Sequence, residues 1–481
     1  MQTNEIPLAI VWRTNPLLGL FAIVASFVIA ISMVPLDCQV AGAMRLPAIV
    51  FSIGLLISQF TSVLAAPKSA FHALNVVAAA PVYWLLLDMV QGAYPLPGID
   101  PETTVHSLGA IGLFSSGVWL GGLLSPMRFP VRMRAGLEIQ LSAKQLLVLI
   151  WIAFFLALLR FAIPAKFDFE AIVGAFGGSR WEAPWARGAM GGWDAFLDHF
   201  AYFGYVLPVL TTLLARKIGW LNRRAFTAIC LTGVIASLLS IGGGRRVIGV
   251  LVGSGMVVWF LSNPLPRFRS VLVVGFVFTI LLLVMQVILL YRNDGLSRIL
   301  SGDIGDRMAQ RQYLHVDDNF LRLSQLTVII PAQHPHVTWR WLIWVGSRPV
   351  PRVLWPGKPI DPGFSLPEFL GAKGVSYSSS IVGELYLAFG FPGCLFGGVV
   401  LGRCGRSLAY MLERNSSTGG FIVYGIGTLA LFAGVRSGID LILMSYGIVG
   451  WFIVVGIYRK LFVHESNGLV HADLRDGTRV Y

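Results

Sequence analysis

Gly242, Gly243 and Gly244 are followed directly by Arg245 and Arg246, at the point where a new apolar run begins. Three glycines allow a sharp reversal and close backbone approach. The free N–H groups of a helix start attract anions. An arginine grips phosphate through two parallel hydrogen bonds. The pattern therefore suits a phosphate ligand. It suits equally a turn whose arginines reach out to lipid headgroups. More arginines gather late in the chain: Arg292, Arg298, Arg307, Arg311, Arg322, Arg340, Arg348, Arg352 and Arg436, interleaved with tryptophan and tyrosine. Aromatic faces stack on sugar rings and guanidiniums bind phosphate or carboxylate, so the set fits an anionic lipid that carries a glycan. A solvated charged loop is the plainer alternative for many of these positions.

Glu384 stands inside an apolar stretch, where an ionisable group is costly and a functional candidate by default. A structural carboxylate, neutral or paired with arginine, is the competing reading. Arg436 and Asp440 are one helical turn apart and can pair with each other. His315, His334 and His336 offer general bases. They lie in no HExxH or other ligand pattern, so no metal is expected on them. Two acidic pairs, Asp100 with Glu102 and Asp168 with Glu170, have the form used by metal-dependent membrane glycosyltransferases. Two acids one residue apart also arise often by chance, and no metal or other cofactor is expected.

The frame that must position these groups is set by composition. Hydrophobic residues make up 56% and charged residues 13% of the 481, and mean hydropathy is +0.72. A soluble domain carries about twice that charge. Apolar runs of roughly 20 residues match a bilayer, and they place twelve spans at 16–34, 46–65, 70–90, 106–125, 144–163, 198–215, 225–241, 247–262, 270–291, 381–402, 419–435 and 439–459. The expected fold is an all-α polytopic membrane protein. Residues 1–291 hold nine spans with an outer loop at 164–197, and 292–380 form a large outer segment. Residues 381–460 hold three more spans, and 461–481 form a tail. The first run is longer than a signal-peptide core and is taken as a membrane helix.

Basic residues collect on the cytoplasmic side of membrane helices. With the N-terminus inside, each inner connection carries Lys or Arg: Lys68; Arg128 to Lys144; Arg216 to Arg224; Arg267 and Arg269; Arg403 to Arg414; Arg459 and Lys460. The outer loop 91–105 carries Asp100 and Glu102 and neither Lys nor Arg. Both termini are thus expected inside. The net charge of +13 follows largely from this rule and calls for no nucleic acid. The four cysteines show no CxxC or zinc spacing and read as small packing residues.

Three motifs carry a resemblance: Gly243 to Arg246; Pro351-Arg352-Val353-Leu354-Trp355-Pro356-Gly357-Lys358-Pro359; and Gly383-Glu384-Leu385-Tyr386-Leu387-Ala388-Phe389-Gly390-Phe391-Pro392-Gly393. In their order, and with a large outer segment late in the chain, the protein resembles the O-antigen polymerase type of bacterial membrane protein. These enzymes join oligosaccharide repeat units of lipopolysaccharide, capsule and exopolysaccharide. The resemblance implies a metal-independent glycosyltransferase of the inner membrane with a GT-C-like helical fold. Its substrates would be glycans on undecaprenyl pyrophosphate, with membrane lipid and a chain-length regulator as partners. Arg245, Arg246, Arg348, Arg352 and Lys358 would stabilise the leaving diphosphate. Arg436, Trp355 and Tyr386 would help hold it and the glycan. Glu384 would deprotonate or orient the acceptor hydroxyl, with His315 behind it. An O-antigen ligase uses the same donor on the same side and is the nearest alternative. A flippase for lipid-linked glycans would place charges at mid-membrane in several spans, and a scaffold would not need so many outer arginines.

Overall fold

A computed structural model describes residues 10–462 except 94–95, 131–132, 134–135, 180, 187–191, 242–244, 264–267, 292–312, 373–376 and 415. Every expected span falls on a helix. They run α1 (Pro16–Ser32), α2 (Arg45–Ala65), α3 (Ala73–Gln91), α4 (Pro101–Leu123), α5 (Ala143–Ala162), α6 (Phe196–Ile218), α7 (Arg223–Ile241), α8 (Arg245–Leu261) and α9 (Phe268–Tyr291). After the late polar stretch, which holds α10 (Asn319–Ile329) and α11 (Trp339–Gly346), come α12 (Ser380–Arg414), α13 (Thr418–Gly434) and α14 (Gly438–Phe462). Several starts are written locally. Asn15, Asp100 and Ser417 cap α1, α4 and α13 by accepting a backbone N–H, and Ser142 with Gln145 closes a capping box on α5.

Among the described residues there is no strand, and eight helices are long and apolar enough to cross a membrane. The chain is an all-helical protein of polytopic membrane type. Pro16–Ser32, Val247–Leu261 and Thr418–Gly434 are apolar but shorter, and α4 is richer in glycine, serine and threonine.

The connections sort to two ends. At one end Trp12 donates to Glu413 (2.5 Å), Lys68 to the Leu261 carbonyl (3.0 Å), Arg216 to Ser262 O (3.1 Å) and Arg403 to Ser125 O (3.1 Å). At the other, Leu96 N donates to Cys38 O, Gln91 to Leu314 O and Ser378 to Arg436 O. The first is the end that carries the basic loops.

The tightest seam joins α4 to α12. A Cβ added at Gly117, Gly121, Gly398 or Gly402 would collide with backbone of the facing helix, so the two main chains touch with nothing between them. The expected single span 381–402 is corrected here. Gly390 has φ 66° and ψ −152°, a region essentially open only to glycine, and Pro392 follows. The chain bends so sharply that a Cβ on Gly393 would stand 2.5 Å from the Leu385 carbonyl oxygen. Eight residues of straight helix would separate these positions by about 12 Å. Residues 380–389 are therefore a short helix laid against the long one. Cys394 Sγ reaches back to the Val382 carbonyl at 3.5 Å.

The described part of the late polar stretch, 313–372, includes helices that pack into the bundle. Phe320, Leu323 and Leu326 of α10 are buried, and Ser324 meets Ser107 of α4 at 3.0 Å. Arg292, Arg298, Arg307 and Arg311 lie outside the described residues, as does the tail from 463.

Candidate functional site

The site grows from the short helix 380–389. Its Glu384 carboxylate accepts three hydrogen bonds. Trp341 Nε1 (3.0 Å) and the Gly438 amide (3.0 Å) donate to Oε2, and Ser437 Oγ (2.7 Å) donates to Oε1. Trp341 Nε1 and the Gly438 amide can only donate, whereas the Ser437 hydroxyl can donate or accept. Trp341 comes from α11, Ser437 from the turn between α13 and α14, and Gly438 is the first residue of α14. The bend at Gly390 is what brings the 380–389 helix alongside both. Val337 and Thr338 amides, just before α11, bond to the carbonyls of Leu387 and Ala388. The Ile381 amide bonds to Val435 O at 3.0 Å.

Arg436, one residue before Ser437, bonds Asp317 through Nε (2.6 Å) and Asp440 through Nη1 (2.8 Å). Burial opposes its charge, but the two carboxylates outweigh this and raise its pKa above the ordinary arginine value. The Arg436–Asp440 pair expected from the one-turn spacing is present. Asp317, 119 residues away in sequence, completes it.

A second cationic group hangs from the far end of α11. The Arg348 guanidinium lies 4.7 Å from the Trp344 ring centroid, and Trp344 Nε1 donates to Ile360 O at 2.8 Å. Lys358 Nζ donates to the carbonyls of Arg348 (3.1 Å) and Val350 (2.9 Å), and Arg352 Nη1 donates to Lys358 O (3.2 Å). Lys358 is buried, and desolvation, then the charges of Arg348 and Arg352, push its ammonium below the ordinary lysine value. Two of its N–H groups pin this loop, leaving one for a ligand. Trp355 and Arg352 are exposed beside it.

Other expected residues fall elsewhere. Tyr386 is buried, packed edge-on to Phe391, with its hydroxyl 3.4 Å from Ile330 O. His336 Nδ1 contacts the Tyr386 and Leu387 carbonyls, and His334 is held at Pro335 O and the Phe364 ring. His315 lies with Asp88 and Asp318. Gly242 to Gly244 lie outside the described residues. Arg245 and Arg246 open α8 as expected, and their side chains are likewise outside the description. In each acidic pair the first acid is a helix N-cap. Asp100 accepts the Thr103 amide (2.7 Å), and Asp168 accepts those of Glu170 and Ala171.

Sequence reasoning missed Trp341, Ser437, Asp317 and Asp88. Asp88 carried a usable signal, being an acid within an apolar run, as Glu384 is. The other three are ordinary residues until the fold joins them. Beneath this region, between α3, α8, α9 and α13, lies an apolar cavity of about 290 Å³ lined by Trp84, Met256, Phe278, Leu281, Met285 and Phe432 among others. Its upper wall touches the polar site: Trp84 O accepts from Asn319 (2.8 Å), and Phe432 is four residues before Arg436. No protein-family model matches the chain, no curated protein matches it, and no solved structure matches its fold.

Proposed function

We propose that the chain is a glycosyltransferase of the bacterial inner membrane that polymerises oligosaccharide repeat units, with twelve membrane crossings and its site on the periplasmic face. A glycan on undecaprenyl pyrophosphate is the donor, and a lipid-linked repeat unit is the acceptor. The acceptor hydroxyl attacks the donor's anomeric carbon, the C–O bond to the diphosphate breaks, and undecaprenyl pyrophosphate leaves. The observation that carries the reading is that one short helix, α11, at the end opposite the basic loops, holds both a hydrogen-bonded carboxylate, Glu384, through Trp341 and the cationic loop of Arg348, Arg352 and Lys358 through Trp344.

Each part has a task in such a transfer. Negative charge develops on the diphosphate as the bond breaks, so fixed cations there lower the barrier. Glu384 keeps one lone-pair site on Oε1 beyond its three bonds, enough to accept the attacking hydroxyl's proton. The apolar cavity can take part of a polyprenyl tail while its headgroup stays among the arginines. The helix that Arg245 and Arg246 open, α8, starts at the end away from the Leu261–Lys68 contact. Deleting the gene and separating surface polysaccharide by gel tests the reading. Loss of the ladder with a single attached repeat retained supports it. Loss of all attached repeats points to a ligase or a flippase, and an unchanged ladder refutes it.

A further inference from the structure

We propose that Asp88, His315 and Asp318 bind a divalent cation, of the class that accepts mixed carboxylate and imidazole ligands, which ties the outer segment to α3. One ligand atom from each of the three lies within 4.8 Å of the others. Ligands at about 2.0–2.2 Å from one ion stand at most about 4.4 Å apart, so a small inward movement closes the set. Two carboxylate oxygens and an imidazole nitrogen suit Mn²⁺ or Zn²⁺ better than Ca²⁺.

The place is built rather than incidental. Asp88 is 3% exposed and sits just after a π turn at Val82–Leu86, which re-aims the last turn of α3. Its Oδ1 accepts the Val316 amide at 3.3 Å, which holds the 315–318 stretch against the helix. Two buried amide side chains border the group, and each has an oxygen without a hydrogen-bond partner. Gln286 of α9 donates to the His315 carbonyl (3.1 Å) and leaves its Oε1 unpartnered. Asn319, next to Asp318, donates to Trp84 O and leaves its Oδ1 unpartnered. Buried polar atoms are almost always satisfied, so two orphans at one spot point to an absent partner that accepts oxygen ligands or carries water.

Two carboxylates, that of Asp88 buried, meet the imidazole at this spot, and a cation there would compensate their charge. The consequence is mechanical. The ion would fix Asp318 and, one residue back, Asp317, which holds Arg436 beside the Ser437 that binds Glu384.

The site stands whatever reaction the chain performs, and its test uses no glycan. The full-length protein, with any affinity tag removed, is stripped with EDTA and titrated with MnCl₂ alone, free Mn²⁺ being read by electron paramagnetic resonance. One Mn²⁺ per chain is expected. His315→Ala and Asp318→Asn, both only half-buried, should each weaken it at least about 10-fold, and Asp88→Asn should do the same or more. Glu368→Gln, an exposed outer carboxylate elsewhere, should bind as wild type does. Mn²⁺ should also raise the thermal unfolding temperature of wild type in a concentration-dependent way and leave that of Asp318→Asn unmoved. No stoichiometric binding, equal affinity in the three ligand variants, or equal loss in Glu368→Gln would overturn the proposal.

Discussion

Replacing Glu384 by glutamine separates its two possible duties, clamp and base. The amide can keep its carbonyl oxygen toward Trp341 Nε1 and the Gly438 amide, both 3.0 Å from the present Oε2. Its NH₂ then faces Ser437 Oγ, a hydroxyl that can accept as well as donate. No donor is stranded. What is lost is charge: hydrogen bonds to a charged group are worth about 1.5–3 kcal/mol and neutral ones about 1. Two such bonds weakened give a stability cost of about 2 kcal/mol. Glu384→Ala instead strands three donors at about 1–3 kcal/mol each, so it should cost 3 kcal/mol or more and reduce membrane abundance. If Glu384 takes the acceptor's proton, the glutamine variant should accumulate almost normally and lose about 10²–10⁴ in transfer rate. The assay is single-turnover transfer by purified protein on lipid-linked repeat units, with thermal unfolding measured on the same samples. A glutamine variant as active as wild type would reduce Glu384 to a clamp. One that fails to fold would show that the exchange of partners described here is wrong.

Arg245→Ala or Arg246→Ala should abolish long chains while the protein still inserts, a loss of about 10²–10³ in rate, and Lys at either position should leave shortened chains; full rescue by Lys would assign these arginines to lipid headgroups instead. Arg436→Ala removes the ion-pair partner shared by Asp317 and the buried Asp440 and should cost about 3–5 kcal/mol in thermal unfolding, with Arg436→Lys intermediate because one ammonium cannot hold both carboxylates as the two guanidinium nitrogens do. In a cysteine-free background, cysteines at Ser301 and Ser365 should label with an impermeant thiol reagent in intact spheroplasts; labelling only after permeabilisation would invert the topology. Asp100 has a pKa lowered chiefly by the Thr103 amide bond, so its cap contributes stability above the ordinary value of 3.8 and loses it as pH falls through the lower folded value. Asp100→Ala should therefore cost about 1 kcal/mol at neutral pH, and the difference from wild type should close in acid.

The long apolar helices were legible because a bilayer asks a length and a composition of each helix separately, so α2, α5 and α9 announce themselves without reference to any neighbour. Caps are equally local, and Asp100 and Asp168 turn out to serve as caps. The bend in α12 was not legible from hydropathy. Leu385 to Phe396 is apolar throughout, and only Gly390 followed by Pro392 hinted that the backbone could reverse there. Glu384 stood out as a charge in an apolar run, yet its partners lie 43, 53 and 54 residues away and belong to separate elements. The same holds for Asp88, whose nearest backbone donor is 228 residues away. Pairings of that reach depend on how helices cross, which no local pattern encodes.

The glycine seam between α4 and α12 divides the molecule into regions of unequal tolerance to mutation. Along the seam even a single methyl group meets main chain, which cannot rotate away as a side chain can. Along α9 only 11% of the apolar window is buried, so one apolar residue can replace another at most positions. A saturation scan should therefore show four narrow vetoes at Gly117, Gly121, Gly398 and Gly402 and broad permissiveness on the outer face of α9. Since α12 continues through the Gly390 bend into the Glu384 helix, variants at the seam should lose activity together with stability rather than separately.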